Sequence, residues 1–445
     1  MYHDLTKGGI AKSLILFSLP MTAGNLLQQL YNIADTLIVG RALGRDALAA
    51  VGSAYTLMTF LTSVFIGLAM GSGALFSIYI GKGDREKLKG SVWQSFVLIF
   101  AVTAAINTAV YIFIDPILRF LKVPDELYSD MREYLVIIFA GIAATFLYNF
   151  LACLIRAAGD SVSPLIFLGV SAVINIGLDL LFVLVFDYGI AGAAAATVIS
   201  QYISGIGMLI FTLAKRPELI PERKHIRLDR KTLGEICDLS ILTSAQQSAM
   251  NFGILLVQRL VDSFGPVVMA AFAASVKIDS FAYLPVQDFG NAFSTFAAQN
   301  YGAGKNERVR EGFQKATAIS AAFSAFVSLI VCVFAGPLMR IFVSAAETDV
   351  IAEGIKYLRI EGSLYVGIGC LFLLYGFWRA VKKPGMSLVL TVVSLGTRVV
   401  LAYAVAGILG TTGIWAAIPI GWALADIVGY GYYFIVRKNI LPVKR

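Results

Sequence analysis

Charge is scarce in this chain of 445 residues. Asp, Glu, Lys and Arg make up 14% of it, against roughly 25% in an ordinary soluble domain. Histidine is scarcer still: His3 and His225 lie far apart in polar segments, so no histidine-based metal centre or catalytic triad can be assembled. The four cysteines, Cys153, Cys237, Cys332 and Cys370, follow no paired spacing and support neither a zinc site nor a disulfide framework. A phosphate-binding loop is also missing. The glycine pairs Gly81/Gly83 and Gly302/Gly304 lack the G-x-x-x-x-G-K-[ST] spacing, which excludes ATP hydrolysis as a power source. A membrane-embedded enzyme would need a ligand or nucleophile constellation that these residues do not supply.

What the chain has in excess is apolar length, with 58% hydrophobic residues. Twelve runs are each long enough to cross a ~30 Å hydrocarbon core. They are Ser13–Val39, Val51–Ile80, Ser91–Ile114, Tyr134–Ile155, Ser163–Phe186, Ile190–Leu213, Ile236–Val261, Pro266–Asn300, Thr317–Ala335, Leu358–Phe377, Met386–Leu409 and Ile414–Val436. The first is too long and too polar for a cleavable signal and is expected to stay as a helix. An even number of spans puts both termini on one side. That side holds Lys7, Lys12, the loop Lys82–Lys89, the linker Lys215–Lys231, Lys305–Lys315, Arg379–Lys383 and the tail from Arg437. The opposite loops hold fewer cations: Arg41, Arg45, Arg119, Lys122, Arg132, Arg340, Lys356 and Arg359. The positive-inside rule therefore predicts cytoplasmic termini in a cell (plasma or inner) membrane. The net charge of +8 follows from this topology, and no nucleic-acid partner is implied.

The chain also repeats itself at a shift of about 221 residues. Gly81-Lys82-Gly83-Asp84-Arg85 aligns with Gly302-Ala303-Gly304-Lys305-Asn306, and Asp115-Pro116-Ile117-Leu118-Arg119 aligns with Gly336-Pro337-Leu338-Met339-Arg340. Tyr134-Leu135 and Arg156-Ala157 match Tyr357-Leu358 and Arg379-Ala380 at about 223. Six spans per copy make both copies enter the membrane from the same side, so their symmetry axis runs along the membrane normal. The expected fold is all-α: twelve transmembrane helices in two six-helix bundles related by a pseudo-two-fold axis. Residues 1–213 form an N-terminal lobe, 214–235 a charged cytoplasmic linker and 236–445 a C-terminal lobe, with substrate bound between them. Gly67-Leu68-Ala69-Met70-Gly71 is a small-xxx-small pattern that lets helices approach closely.

Polar residues inside the spans are costly and mark function by default. The first span carries Asn25, Gln28, Asn32 and Asp35 at spacings of three, four and three, which is one helix face. The fifth has Asn175 and Asp179 at i, i+4, and the sixth Thr197 and Gln201 at i, i+4. Two carboxylates with amide and hydroxyl oxygens suit Na⁺, and serve equally for a proton. Periodicity does not say whether Asp35 and Asp179 meet. The second copy differs, with Leu256 and Ala402 at the equivalent positions. There Arg259–Asp262 and Arg398–Asp426 are expected as structural ion pairs, and Asp288, in a span interrupted by Pro285, as a cavity-lining candidate.

These residues resemble the MATE (multidrug and toxic compound extrusion) transporters of the multidrug/oligosaccharidyl-lipid/polysaccharide exporter superfamily. The resemblance covers the whole chain. It rests on Pro20 with Asp35, on Arg156-Ala157-Ala158-Gly159-Asp160 followed by Pro164, and on Asn175-x-x-x-Asp179 with Thr197. It implies antiport of organic, often cationic, compounds against Na⁺ or H⁺ by alternating access, with no cofactor. It assigns the cation site to Asp35, Asn175, Asp179 and Thr197. Some relatives use acids in helices seven and ten instead. Here helix seven has Gln246, Gln247 and Asn251 but no mid-span acid, and neither has the Leu358–Phe377 run. Lys277-Ile278-Asp279 and Leu284-Pro285 look closer to the branch with the damage-inducible and bacterial multidrug members. Asn25, Gln28, Asn32, Gln201 and Asp288 are the substrate-cavity candidates, and Pro20 is placed to bend helix one. The expected partners are small organic substrates and the bilayer, and the expected state is a monomer. The alternative is a flippase of a lipid-linked oligosaccharide or other amphipathic cargo.

Overall fold

The structure is a computed structural model that describes residues 4–120 and 123–442, without the side chains of Arg45, Asp46, Ala49, Thr56 and Phe120. His3, Lys122 and residues 443–445, used above to argue orientation and metal binding, lie outside the described residues, as does the Arg45 side chain. In chain order the helices are α1 (Ile10–Ala42), α2 (Gly44–Lys82), α3 (Arg85–Phe120), α4 (Asp125–Ala140), α5 (Ile142–Ala157), α6 (Val162–Asp179) and α7 (Gly189–Lys215). There follow α8 (Arg230–Asp262), α9 (Pro266–Gly302), α10 (Asn306–Val333), α11 (Ala335–Phe342), α12 (Thr348–Gly362), α13 (Tyr365–Ala380), α14 (Pro384–Leu409) and α15 (Thr411–Ile440).

Among the described residues nine helices are each long and apolar enough to cross a bilayer. Two bent pairs meet the same test together: α4 with α5, at 44°, and α12 with α13, at 51°. α8, whose 33 residues reach about 50 Å, is long enough to be a twelfth crossing but too polar to meet that test. Gln246, Gln247 and Asn251 are among its polar residues. The runs read as Tyr134–Ile155 and Leu358–Phe377 are thus the inner parts of longer, broken spans. Their first turns carry Asp125, Glu126 and Asp349, which hid them from a hydropathy reading.

The duplication is written into the backbone. Left-handed glycines recur in register: Gly44 and Gly265 (φ 89° and 94°), Gly83 and Gly304 (73° and 71°), Gly189 and Gly410 (59° and 58°). Gly159 (φ 87°) has Lys382 (φ 58°) as its counterpart, so the turn survives even where the glycine does not.

Two compact units emerge. The first is Ala23–Ser244; the second is Asp4–Thr22 with Ala245–Arg445. In the first, α2 packs on α3, α4 and α5, and α7 on α4, α5 and α6. Its core includes Phe65, Phe76, Phe139 and Phe150, with Phe76 edge-on to Phe150 at 6.0 Å. Gly67 and Gly71 do what their spacing predicts. A Cβ on either would lie 2.5 Å from backbone atoms of α8, at Ser244 and at Leu239–Ser240. In the second unit α9 packs on α12 and α13, and α14 on α15. Phe272 stacks on Trp415 at 5.5 Å, and Tyr357 meets Trp415 edge-on at 4.9 Å.

The unit boundary does not fall in the linker. Thr22 of α1 clusters with the second unit and Ala23 with the first, two residues past Pro20, through which α1 runs unbroken. The start of α1 is tied down by the second unit: Arg308 donates to the Lys7 and Gly8 carbonyls at 2.8 Å, and Asn300 Nδ2 to that of Leu5 at 3.1 Å. The linker is tied to the first unit in the corresponding way. His225, 5% exposed, meets Glu86 Oε2 at 3.0 Å, Lys224 meets Glu86 at 2.8 Å, and Lys89 pairs with Glu222. Asp84 and Glu86 correspond by repeat to Lys305 and Glu307, so both copies grip the segment before a first helix with the same turn.

Candidate functional site

In the first unit the polar residues of three helices converge. Asp35, from the fourth turn of α1 beyond Pro20, and Asp179, the last residue of α6, bring their carboxyls together as direct neighbours. Asp179 is fully buried and Asn175 nearly so, at 2% exposure. Directly after Asp179 the helix widens into a π turn, Leu180–Val185, a distortion that recurs at functional sites. On α7, Thr197 Oγ1 accepts from Asn175 Nδ2 at 3.4 Å and donates to the Ala193 carbonyl at 3.1 Å.

The electrostatics of this cluster are set by missing donors. Asp35 Oδ1, both Asp179 oxygens, Asn175 Oδ1 and Gln201 Oε1 are buried, and none accepts a hydrogen bond from a described residue. Buried acceptors are nearly always satisfied, and each orphan costs about 1–3 kcal/mol. The two acids, as bare carboxylates, are acceptors only. Contact between them becomes a bond when a proton or a cation lies between them. Among the described residues no three His, Cys, Asp or Glu side chains converge, so the donor set is carboxylate and amide oxygen rather than a transition-metal cage.

The remaining candidates are placed variously. Asn32 donates to Tyr55 Oη at 3.4 Å, Gln28 lies beside Tyr31, and Asn25, higher on the same face, is half-buried. Gln201 packs at the α4–α5 bend: a Cβ on Gly141 would sit 2.4 Å from its Oε1, so any larger residue there would displace the Gln201 amide. Asp288 belongs to the second unit, where it is buried on α9. One turn on, Asn291 and Ser294 accept from Arg379 at 2.9 and 3.2 Å.

Sequence reasoning missed the tyrosines. Tyr134 lies near both acids and Tyr31 near Asp35, with Tyr55 next to these two tyrosines. Tyr31 precedes Asp35 by four residues and was within reach of the helix-face argument; Tyr134 comes from α4 and was not. It also missed Glu361. Glu361 is the fourth residue of the Leu358–Phe377 run; with the tenth span beginning at Thr348 it lies well inside that span, beside the bend, 6% exposed. Asp279 and Glu361 share a buried cluster with Tyr357, and Tyr365 Oη donates to Asp279 Oδ1.

Two expected ion pairs are absent among the described residues. Asp262 accepts from Gln258 at 2.7 Å, one turn back, in place of Arg259. Arg398 does not reach Asp426. It faces Gly421, whose Cβ would lie 3.5 Å from that of Arg398, and Asp426 is five residues, about 7.5 Å, further along α15. The Arg398 charge acts instead on Asp279 and Glu361.

A family model described as MatE matches residues 20–181 and again 240–404, one block in each copy of the repeat. The chain belongs to the MatE family. It is similar to the probable multidrug resistance protein YpnP of Bacillus subtilis, at 31% identity over 97% of this chain and 96% of the relative. It is 25% identical to a FAD transporter of Shewanella oneidensis, over 99% and 98%. Among solved structures, a MOP superfamily transporter from Pyrococcus furiosus superimposes with a TM-score of 0.93 at 23% identity, over 99% and 98% of the two chains. A multidrug resistance MATE family transporter in an outward-facing conformation gives 0.93 at 23%, over the same shares. This MatE protein is a multi-pass membrane transporter of the drug-efflux type and not an enzyme.

Proposed function

We propose that this MatE transporter is a secondary antiporter, exporting organic cations from the cytoplasm in exchange for H⁺ or Na⁺. One observation carries the reading. Asp35 and Asp179 meet in a buried cluster whose oxygens lack donors, and an entering cation supplies what the cluster lacks. A proton bridges the two carboxyls; Na⁺ adds Asn175 Oδ1 and Thr197 Oγ1 as further hard ligands. Asp35 is on α1, so neutralising it removes a charge from the helix that Pro20 allows to bend. Ion and drug then favour different states of the same protein, which is all that antiport requires. One charge moved through 100 mV yields about 2.3 kcal/mol, a gradient of nearly 50-fold.

Among the described residues the cluster brings together acids with no Lys or Arg beside them, which supports a cationic cargo. Asn25, Gln28, Asn32 and Gln201 in the first unit and Asp288 in the second are assigned to its polar contacts. The lobes are taken as 1–213 and 236–445, with cytoplasmic termini, a cell-membrane location and a monomeric state. The test is efflux of a fluorescent cation from proteoliposomes under an imposed Na⁺ or pH gradient. Asp35→Asn and Asp179→Asn should each abolish gradient-driven efflux in a protein that remains monodisperse. Full efflux by either variant sinks the assignment. Gradient-driven movement of a flavin nucleotide or an amphipathic lipid-linked cargo, with none of the cation, would move the family role to an anionic or flippase cargo.

A further inference from the structure

The linker between α7 and α8 has one face committed and one face open. Its committed face is the grip described above, with His225 and Lys224 on Glu86 and Glu222 on Lys89. The other acid of the segment is also spoken for. Asp229 turns back onto the first turn of α8, accepting from the Thr232 amide at 3.2 Å and from its hydroxyl at 2.5 Å. With Glu218 paired to Arg216 and Glu222 and Asp229 used as described, Arg223, Arg230 and Lys231 stand exposed with no ion pair among the described residues, and the exposed Arg227 has only the charge of Asp229 beside it. Between them project Ile226 and Leu228, 53% and 79% exposed. Among the described residues of the linker they are the only large apolar side chains so exposed; Leu219 is buried.

This combination sits where a bilayer surface must be. The apolar run of α8 begins at Ile236, six residues beyond Arg230, or about 9 Å of helix. The headgroup layer is roughly 5–8 Å thick on each side, and charges act over a Debye length of about 8 Å. Clusters of Lys and Arg adjoining a membrane helix are attracted to anionic lipid. We propose that residues 223–231 form a docking face for anionic lipid headgroups. The four exposed cations meet lipid phosphates, and Ile226 and Leu228 enter the interface between them. Because the grip on Glu86 and Lys89 holds the segment in place, little ordering entropy remains to oppose docking. An acidic soluble protein would match the charges but leaves the two apolar side chains unexplained.

The test uses the full chain in nanodiscs, where both leaflets are alike and the proposed orientation plays no part. An environment-sensitive fluorophore is attached at Leu228→Cys after Cys153, Cys237, Cys332 and Cys370 are changed to Ser. Quenching by bromine-labelled acyl chains is compared in phosphatidylcholine and in phosphatidylglycerol-containing discs. Quenching should be about twofold greater in the anionic discs, and should return to the phosphatidylcholine level at high salt. The same return is expected in the variant R223Q/R227Q/R230Q/K231Q, whose side chains are all exposed and whose fold should be unaffected. Equal quenching in both lipids, or anionic-lipid quenching that survives the four substitutions, overturns the proposal. Protection of the label by soluble polyglutamate, without lipid quenching, would overturn it in favour of an acidic protein.

Discussion

Replacing Arg308 by Ala should loosen the start of helix α1, and the size of the effect can be worked from its contacts. The guanidinium donates to three backbone carbonyls, of Lys7 and Gly8 at 2.8 Å and of Leu5 at 3.3 Å, and lies 5.4 Å from the Phe296 ring centre. A charged donor to a buried carbonyl is worth about 1.5–3 kcal/mol, but two of these bonds face solvent and count for less. A total of about 2–3 kcal/mol follows, or roughly 30- to 150-fold more frequent opening of the segment. Asn300 and Lys305 still hold Leu5 and Thr6, so the loss is local and the fold persists. Hydrogen exchange of the amides from Leu5 to Lys12 should accelerate by that factor while α9 and α13 keep their protection. Arg308→Lys keeps the charge but not the fork, and should fall between. Unchanged exchange in Arg308→Ala would refute the argument that these bonds anchor the helix bearing Asp35.

Other outcomes follow from the same contacts. Asp160 opens α6 by accepting from the Val162 and Ser163 amides at 3.1 and 3.0 Å, and it pairs with Arg216 at 3.2 Å. Burial pushes its pKa up, but the Ser163 and Arg216 bonds prevail and hold it below the usual 3.8. A depressed carboxylate pKa stabilises the fold above about pH 4 and ceases to do so as pH falls through the folded-state value. Asp160→Asn should therefore cost about 2 kcal/mol near neutrality, with the gap to the unmutated protein closing in acid, as read by thermal unfolding in detergent. Tyr365→Phe removes the hydroxyl that donates to buried Asp279 Oδ1 and should destabilise by about 1–3 kcal/mol, while Phe at Tyr403, which is exposed, should change little. If Tyr365→Phe leaves the unfolding temperature unmoved, the Asp279 cluster is better hydrated than its burial implies.

Several features were legible without coordinates because they depend on local chemistry alone. Apolar length dictates spans, and the cost of bare backbone in lipid dictates that those spans are helices. A fixed register of turn residues reveals the duplication, since Gly83 and Gly304 need the same left-handed backbone. The face shared by Asn32 and Asp35, and that shared by Asn175 and Asp179, follow from 3.6 residues per turn. Helix ends fared worse. The acids at Asp125 and Asp349 concealed the first turns of two broken spans, so Glu361, inside the Leu358–Phe377 run, looked like a residue of its end.

What the linear order could not settle was which face meets which. Periodicity places a side chain on its own helix and says nothing of the neighbour's rotation or axial offset. So Asp35 and Asp179, 144 positions apart in the chain, come into contact, while Arg398 and Asp426 on adjacent helices miss by an axial offset. The same holds for the two first helices. Composition marks 214–235 as a linker, yet packing divides α1 after Thr22 and α8 after Ser244, because close approach at Gly67 and Gly71 draws the start of α8 into the first unit. Residue types and their spacing determined the membrane helices, the repeat and the candidate oxygens. Tertiary packing alone decided that two acids share one buried space with no donor between them, since only a third dimension brings distant turns within bonding reach.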